Sequence, residues 1–122
     1  MNLILIDLNV QNLDALQFKR TENLRLLYET GFANKIAEKF PGSTAIVVDD
    51  FAKGTDTTNS TIEIIILQKD NHSSSETEFK KYESQFNRPI KFTFFKEKQN
   101  ILPLDIKKKI YNGIVLVGEV DL

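Results

Sequence analysis

The sequence predicts an α/β (α+β) domain, a mixed β-sheet with helices packed on it. Three observations predict it. Short β-prone apolar runs alternate with stretches of helical period. Gly and Pro stand at the joints between them, at Gly31, Pro41-Gly42, Gly54, Pro89 and Gly113. Runs of both kinds recur through the whole chain, and a sheet covered by helices is the natural way to bury them.

Taken in order, Leu3, Ile4, Leu5, Ile6, Leu8 and Val10 are read as an opening strand, ended by a polar turn at Asn9-Val10-Gln11-Asn12. Leu13, Leu16, Arg20, Leu24, Leu27 and Tyr28 then recur at helical spacing, with Phe18 and Leu26 widening the face. Gly31 breaks or bends this helix. Phe32, Ile36, Ala37 and Phe40 continue the period until Pro41-Gly42 stops it. Thr44 to Val48 is a buried-type strand, and Thr61 to Leu67 is the strongest strand in the chain. The polar segment Asp49 to Asn59 connects them. Gln68 to Ser75 reads as a loop. Glu76 to Phe86 reads as an amphipathic helix on Phe79, Tyr82 and Phe86. Ile90 to Phe95 is a strand with Ile90, Phe92 and Phe94 on one face. Leu104 to Asn112 is a helix with Ile106 and Ile110 inside and Gly113 as its C-cap. Ile114 to Val117 is the last strand. The predicted order is β, α, α, β, β, α, β, α, β, without repeats or a linker.

The 122 residues are enough for one domain with a core of its own. Cys is absent, which excludes disulfides and thiolate metal sites and fits a reducing, cytoplasmic setting. The formal net charge of -1 gives no global pull toward nucleic acid or anionic membrane. No apolar run approaches the ~18 residues of a membrane span, and the apolar start lacks the basic flank of a signal peptide.

The segment from Val48 to Ile64 carries the most chemistry. Phe51, Ala52, Lys53, Gly54, Ser60, Ile62, Glu63 and Ile64 fit, without a gap, the motif of the minimal nucleotidyltransferase domains. The chain resembles this archaeal and bacterial group of the polymerase-β-like superfamily. Phe18-Lys19-Arg20, Asn23-Leu24 and Leu27-Tyr28 resemble the helix before the motif in archaeal members, and Asn112 to Gly118 resembles their closing segment. The likeness covers nearly all of the chain. Residues 1–10 resemble the last strand of a preceding winged-helix wing, which implies a lost or separate DNA-binding part.

The resemblance implies two Mg²⁺ ions held by carboxylates, moving a nucleotidyl group from a triphosphate. The family's Gly-Ser pair is here Asp49-Asp50, its first strand acid is Thr61, its second is Glu63, and the later strand offers Lys91 and Thr93 instead of an acid. Thr61 is a poor Mg²⁺ ligand. Asp49 and Asp50 place like charge beside an incoming triphosphate, a repulsion of several kcal/mol at ~4 Å and an effective dielectric of about 20. These departures imply a catalytically impaired domain that serves as an interaction or regulatory module and needs no cofactor. Its partners would be a copy of itself, another small protein of the same system, such as the helical partners of the family's toxin–antitoxin systems, or a DNA-binding domain once attached to it. The alternative is an active enzyme. In it, Asp50 and Glu63, with Asp49 beside them, hold Mg²⁺, and Lys53, Gly54 and Ser60 meet the nucleotide.

Plainer readings stand beside these. Asp49, Asp50, Asp56 and Glu63 could form a rebuilt metal cluster, but the favoured reading takes Asp49, Asp50 and Asp56 as loop acids that cap turns, and Lys53 and Gly54 read as keepers of the loop's shape. Lys91, Lys96, Lys98, Lys107, Lys108 and Lys109, near Phe92, Phe94 and Phe95, offer a third function, a small nucleic-acid-binding module. Their plainer reading is a solvated face over an aromatic core. His72 and Ser73 to Ser75 have no partners for metal or nucleophilic chemistry in the sequence.

Overall fold

A computed structural model describes residues 3–69, 76–96 and 102–120 of the chain. His72, Ser73 to Ser75 and Lys98 lie outside the described residues.

The elements are α1 (Leu3–Glu29), α2 (Phe32–Lys39), β1 (Thr44–Val48), α3 (Asp49–Lys53), β2 (Ile62–Gln68), a 3₁₀ turn (Glu76–Phe79) leading into α4 (Lys80–Phe86), β3 (Ile90–Lys96), α5 (Leu104–Tyr111) and β4 (Ile114–Val117). The four strands form one mixed sheet in the order β3-β2-β1-β4. β1 pairs antiparallel with β2 and with β4, whereas β2 and β3 run parallel. The α+β class expected from the sequence is therefore the class observed.

The opening strand expected over residues 1–10 is not there: from Leu3 the backbone belongs to α1. No Gly or Pro occurs before Gly31, so nothing interrupts the backbone hydrogen bonds through Asn9-Val10-Gln11-Asn12. Leu and Ile are compatible with either state, and their run alone does not choose between them. The likeness of this segment to a winged-helix strand falls with it. α1 ends where Gly31 turns left-handed, with φ 83°.

β2 shows why it carries the strongest strand signal. It lies between β1 and β3, and all its residues except Glu63 are buried. A strand covered on both faces loses the polar alternation of a half-exposed one. One face holds the larger core, with Ala45, Val47, Ile62, Ile64, Ile66, Phe92 and Leu116 of the sheet under Leu27, Phe32, Ile36 and Phe40. Phe79, Tyr82 and Phe86 join it from the 3₁₀ turn and α4. Phe32 meets Phe79 and Tyr82 edge-on at centroid distances of 5.8 and 5.3 Å, the geometry that aromatic quadrupoles favour. The other face carries Ile46, Val48, Ile65 and Leu67, covered by Leu102 and by Ile110 of α5.

Gly113 follows α5 where a C-cap glycine is expected, and its N–H bonds the Ile110 carbonyl at 3.1 Å, yet its φ is not positive. Its need for glycine is steric. A Cβ there would lie 2.6 Å from the Val47 carbonyl oxygen and 2.7 Å from Ile46 Cγ2. The glycine lets β4 start directly against β1.

Gly54 combines both demands. Its φ is 78°, and a Cβ would meet the Leu16 carbonyl oxygen at 2.7 Å and Arg20 Cγ at 2.9 Å. The end of α3 therefore sits flush on α1. Gly54→Ala is expected to destabilise the fold by about 1–3 kcal/mol, from left-handed strain plus the clash. Chemical denaturation checks this, and a stability equal to wild type would refute the close packing of α3 on α1.

Candidate functional site

The residues singled out by the sequence fall around α3, at the end of β1. The chain turns sharply there because Asp49 adopts φ 62°, a left-handed conformation uncommon outside glycine but more accessible to Asp than to most residues. Asp49 thus opens α3 with its carboxylate beside the sheet. Glu63 sits across from Val48 in the antiparallel pair and beside Lys91 in the parallel one. It shares its face with Ile65 and Leu67, the face that α5 covers.

The structure brings Asp49 and Glu63 together with Lys109 of α5. Lys109 Nζ lies 3.2 Å from Asp49 Oδ2 and 3.7 Å from Glu63 Oε1. The two carboxyl groups also share a hydrogen bond, which separates their titrations. That bond holds Asp49 below its ordinary value; burial opposes it, and Lys109 adds to it. The same bond pushes Glu63 up, and burial pushes it further, while Lys109 and Lys91 pull it back. Lys109 is raised, chiefly by its hydrogen bond to Asp49. Of the two carboxyls, Glu63 is thus the one whose titration is moved up and Asp49 the one whose titration is moved down.

Asp50 does not join this cluster; its Oδ1 accepts a hydrogen bond from the Thr55 hydroxyl at 2.9 Å. Ser60 closes a turn, where its hydroxyl accepts from the Thr57 backbone N–H at 2.9 Å. Lys53 is exposed and lines a cavity with Arg20, Tyr111, Asn112 and Gly113. Among the described residues, no three Asp, Glu or His side chains converge on one point. Phe92 is core, Phe94 packs against the same cluster, and Phe95 packs against the other, so these rings serve the interior of the sheet.

Asp56 is the residue whose place the sequence hides most. Its side chain is fully buried. It pairs with Arg88, accepts a hydrogen bond from Asn23 Nδ2 at 2.8 Å and lies 3.6 Å from Lys19 Nζ. Asn23, itself buried, also donates to the Phe51 carbonyl at 3.0 Å, and Arg20 Nε donates to the Ala52 carbonyl at 3.1 Å. α3 is too short to satisfy its own last carbonyls, and α1 supplies the donors. Arg88 also lies over the Phe51 ring, 5.6 Å from its centroid. The acidic loop is thus pinned to α1 by Arg20 and Asn23, which neither composition nor local pattern could pair with it.

Two expected outcomes follow from this geometry. Asp56→Asn leaves Arg88 without its buried counter-charge and is expected to cost about 3 kcal/mol, read by urea denaturation. In Lys109→Met, Asp49 and Glu63 both lose an attraction, so Glu63 should release its proton at a higher pH than in wild type. Carboxyl carbon NMR titration reads this directly. A raised native pKa gives stability that is present at low pH and lost as pH rises. The variant's deficit should therefore grow as pH rises through the Glu63 titration, reaching about 1 kcal/mol or less because water screens this partly exposed cluster.

No family model matches the chain, and no curated protein matches it at a significant level.

Proposed function

We propose that the domain is a nucleotidyltransferase-like module that acts by binding, having lost metal-dependent transfer. One observation carries this reading: Lys109 lies between Asp49 and Glu63, where the motif would otherwise direct carboxylates at a divalent cation.

As a ligand set for Mg²⁺ these residues fit poorly. The metal needs deprotonated oxygens in near-octahedral order, whereas Asp49 and burial both push the Glu63 carboxyl up, toward the protonated form that binds metal poorly. An ammonium already neutralises the pair, and a dication beside it would meet that positive charge at close range. Asp50 is turned to Thr55. Lys91, beside Glu63 on β3, adds further positive charge where the family places its third acid. A fixed lysine can hold two acids in place without exchange, which suits a scaffold that positions a surface for a partner protein or a second copy.

The test is a nucleotidyl-transfer assay with each labelled nucleoside triphosphate, Mg²⁺ or Mn²⁺, and the domain itself as acceptor. No incorporation above a heat-treated control is expected. Metal-dependent labelling abolished by Glu63→Gln would instead establish the active-enzyme reading.

A further inference from the structure

α5 has an outer face that the fold does not use. The helix presses Ile106 and Ile110 onto the second face of the sheet, and Lys109 ties it sideways to Asp49 and Glu63. At about 100° per residue, Leu104, Lys107, Lys108 and Tyr111 fall within a sector of roughly 100° on the opposite side. Leu104 is 69% exposed and Tyr111 68%. They stand two turns apart, about 10 Å along the axis. Lys108 is exposed between them, and Lys107 is half-buried beside it. Asp105, the one acid of the helix, lies outside that sector.

The positive charge continues past the end of the helix, where Tyr111 also lines a cavity of about 360 Å³ with Arg20 and Lys53. Among the described residues, no carboxylate lies within ion-pair distance of Arg20, Lys53, Lys107 or Lys108. Such a surface is complementary to acids. It is also rigid. Asn112 bonds the Lys108 carbonyl through both its backbone and its side-chain N–H, and Arg20 Nε is held by the Ala52 carbonyl at 3.1 Å. The two apolar anchors are therefore presented at a fixed spacing, and little ordering is needed on binding.

We infer that this face docks a short, extended acidic segment of a partner protein, carrying one large apolar side chain. That side chain lies between Leu104 and Tyr111. Neighbouring carboxylates meet Lys107 and Lys108, and one further along enters the cavity to reach Arg20 and Lys53. An extended chain covers the distance from Leu104 to Tyr111 in about three residues. A face of two turns has the size of a transient contact and is too small to hold a stable dimer. A second copy is also a poor source of the acids, because Glu22 and Glu29, exposed on α1, are both engaged by Arg25. Nucleic acid fits less well, since Leu104 offers no ring for a base to stack on and a phosphate backbone along α5 would pass the exposed Asp105. The docking rests on the binding role proposed above, yet it uses neither Asp49 nor Glu63.

Amide NMR of the labelled domain tests it, with a synthetic peptide of Glu and Asp around a central Phe added to millimolar concentration. The peptide should shift the resonances of Leu104, Lys108 and Tyr111, and added salt should weaken its binding. The same peptide with Gln and Asn in place of the acids, or Ser in place of Phe, should bind at least tenfold more weakly. Leu104→Ser, and Lys107→Gln with Lys108→Gln, should each weaken the acidic peptide by about tenfold. Lys107→Glu with Lys108→Glu should instead select a Lys-bearing peptide. Circular dichroism confirms that the variants fold. Docking is refuted if the acidic peptide shifts none of these resonances, if the neutral peptide or the folded Lys107→Gln, Lys108→Gln variant binds as well, or if a single-stranded oligonucleotide binds this face more tightly. Peptide binding by a domain that also proves to transfer nucleotides would uphold the docking and end the loss of catalysis. Absence of both would end the docking alone.

Discussion

The buried carboxylate of Asp56 is the point on which the rest of the arrangement depends. It lies in the connection between β1 and β2, far in sequence from Asn23 on α1 and from Arg88 before β3, and it engages both. A carboxylate withdrawn from water is costly unless its charge and lone pairs are satisfied. Here a guanidinium, an amide and a nearby ammonium satisfy it. Because those partners come from separate parts of the chain, the loop can close only when α1 and the segment before β3 are both in place. With the loop closed, Asn23 and Arg20 reach the carbonyls of α3, and Asp49 is held at the edge of the sheet beside Glu63. The site is a consequence of how this loop is fastened.

Much of the fold was legible because its signals are local. The buried runs of β1 and β2, the glycine at 31 and the Phe79-Tyr82-Phe86 face each declare themselves within a few residues. The apolar run from Leu3 did not, since such a run has the same composition in a strand and in a helix, and only the missing breaker distinguished them. Gly113 stands where the sequence placed it, but the reason for glycine there was hidden. A glycine after a helix suggests a left-handed cap, yet here it is demanded by a carbonyl of β1 that lies 66 positions earlier in the chain. Asp56 looked like any loop acid because burial is a property of the assembled structure. Lys109 was readable only as one of a run of lysines, and its choice of Asp49 and Glu63 depends on α5 lying over that face of the sheet.

α3 separates two chemically opposite environments within five residues. At its start, two carboxyls meet a lysine; at its end, two cations line a cavity with no acid in its described lining. Lys53 takes part in both, since its charge also helps to lower Asp49. Occupying the cationic side with an anion would weaken that help, so the two sides are electrostatically linked across one helical turn.

The sheet order gives the chain a timetable. β1 is central, but one of its neighbours, β4, is the last strand in sequence, and Val47 pairs with Ile114. During synthesis, β1 and β2 can form their hairpin early, yet that side of β1 stays open until β4 has also emerged. Throughout that interval a bare, strongly apolar edge is presented to the cell. The pairing of β1 is therefore completed by a segment made well after it, and until then its open side is the place where wrong pairing can start.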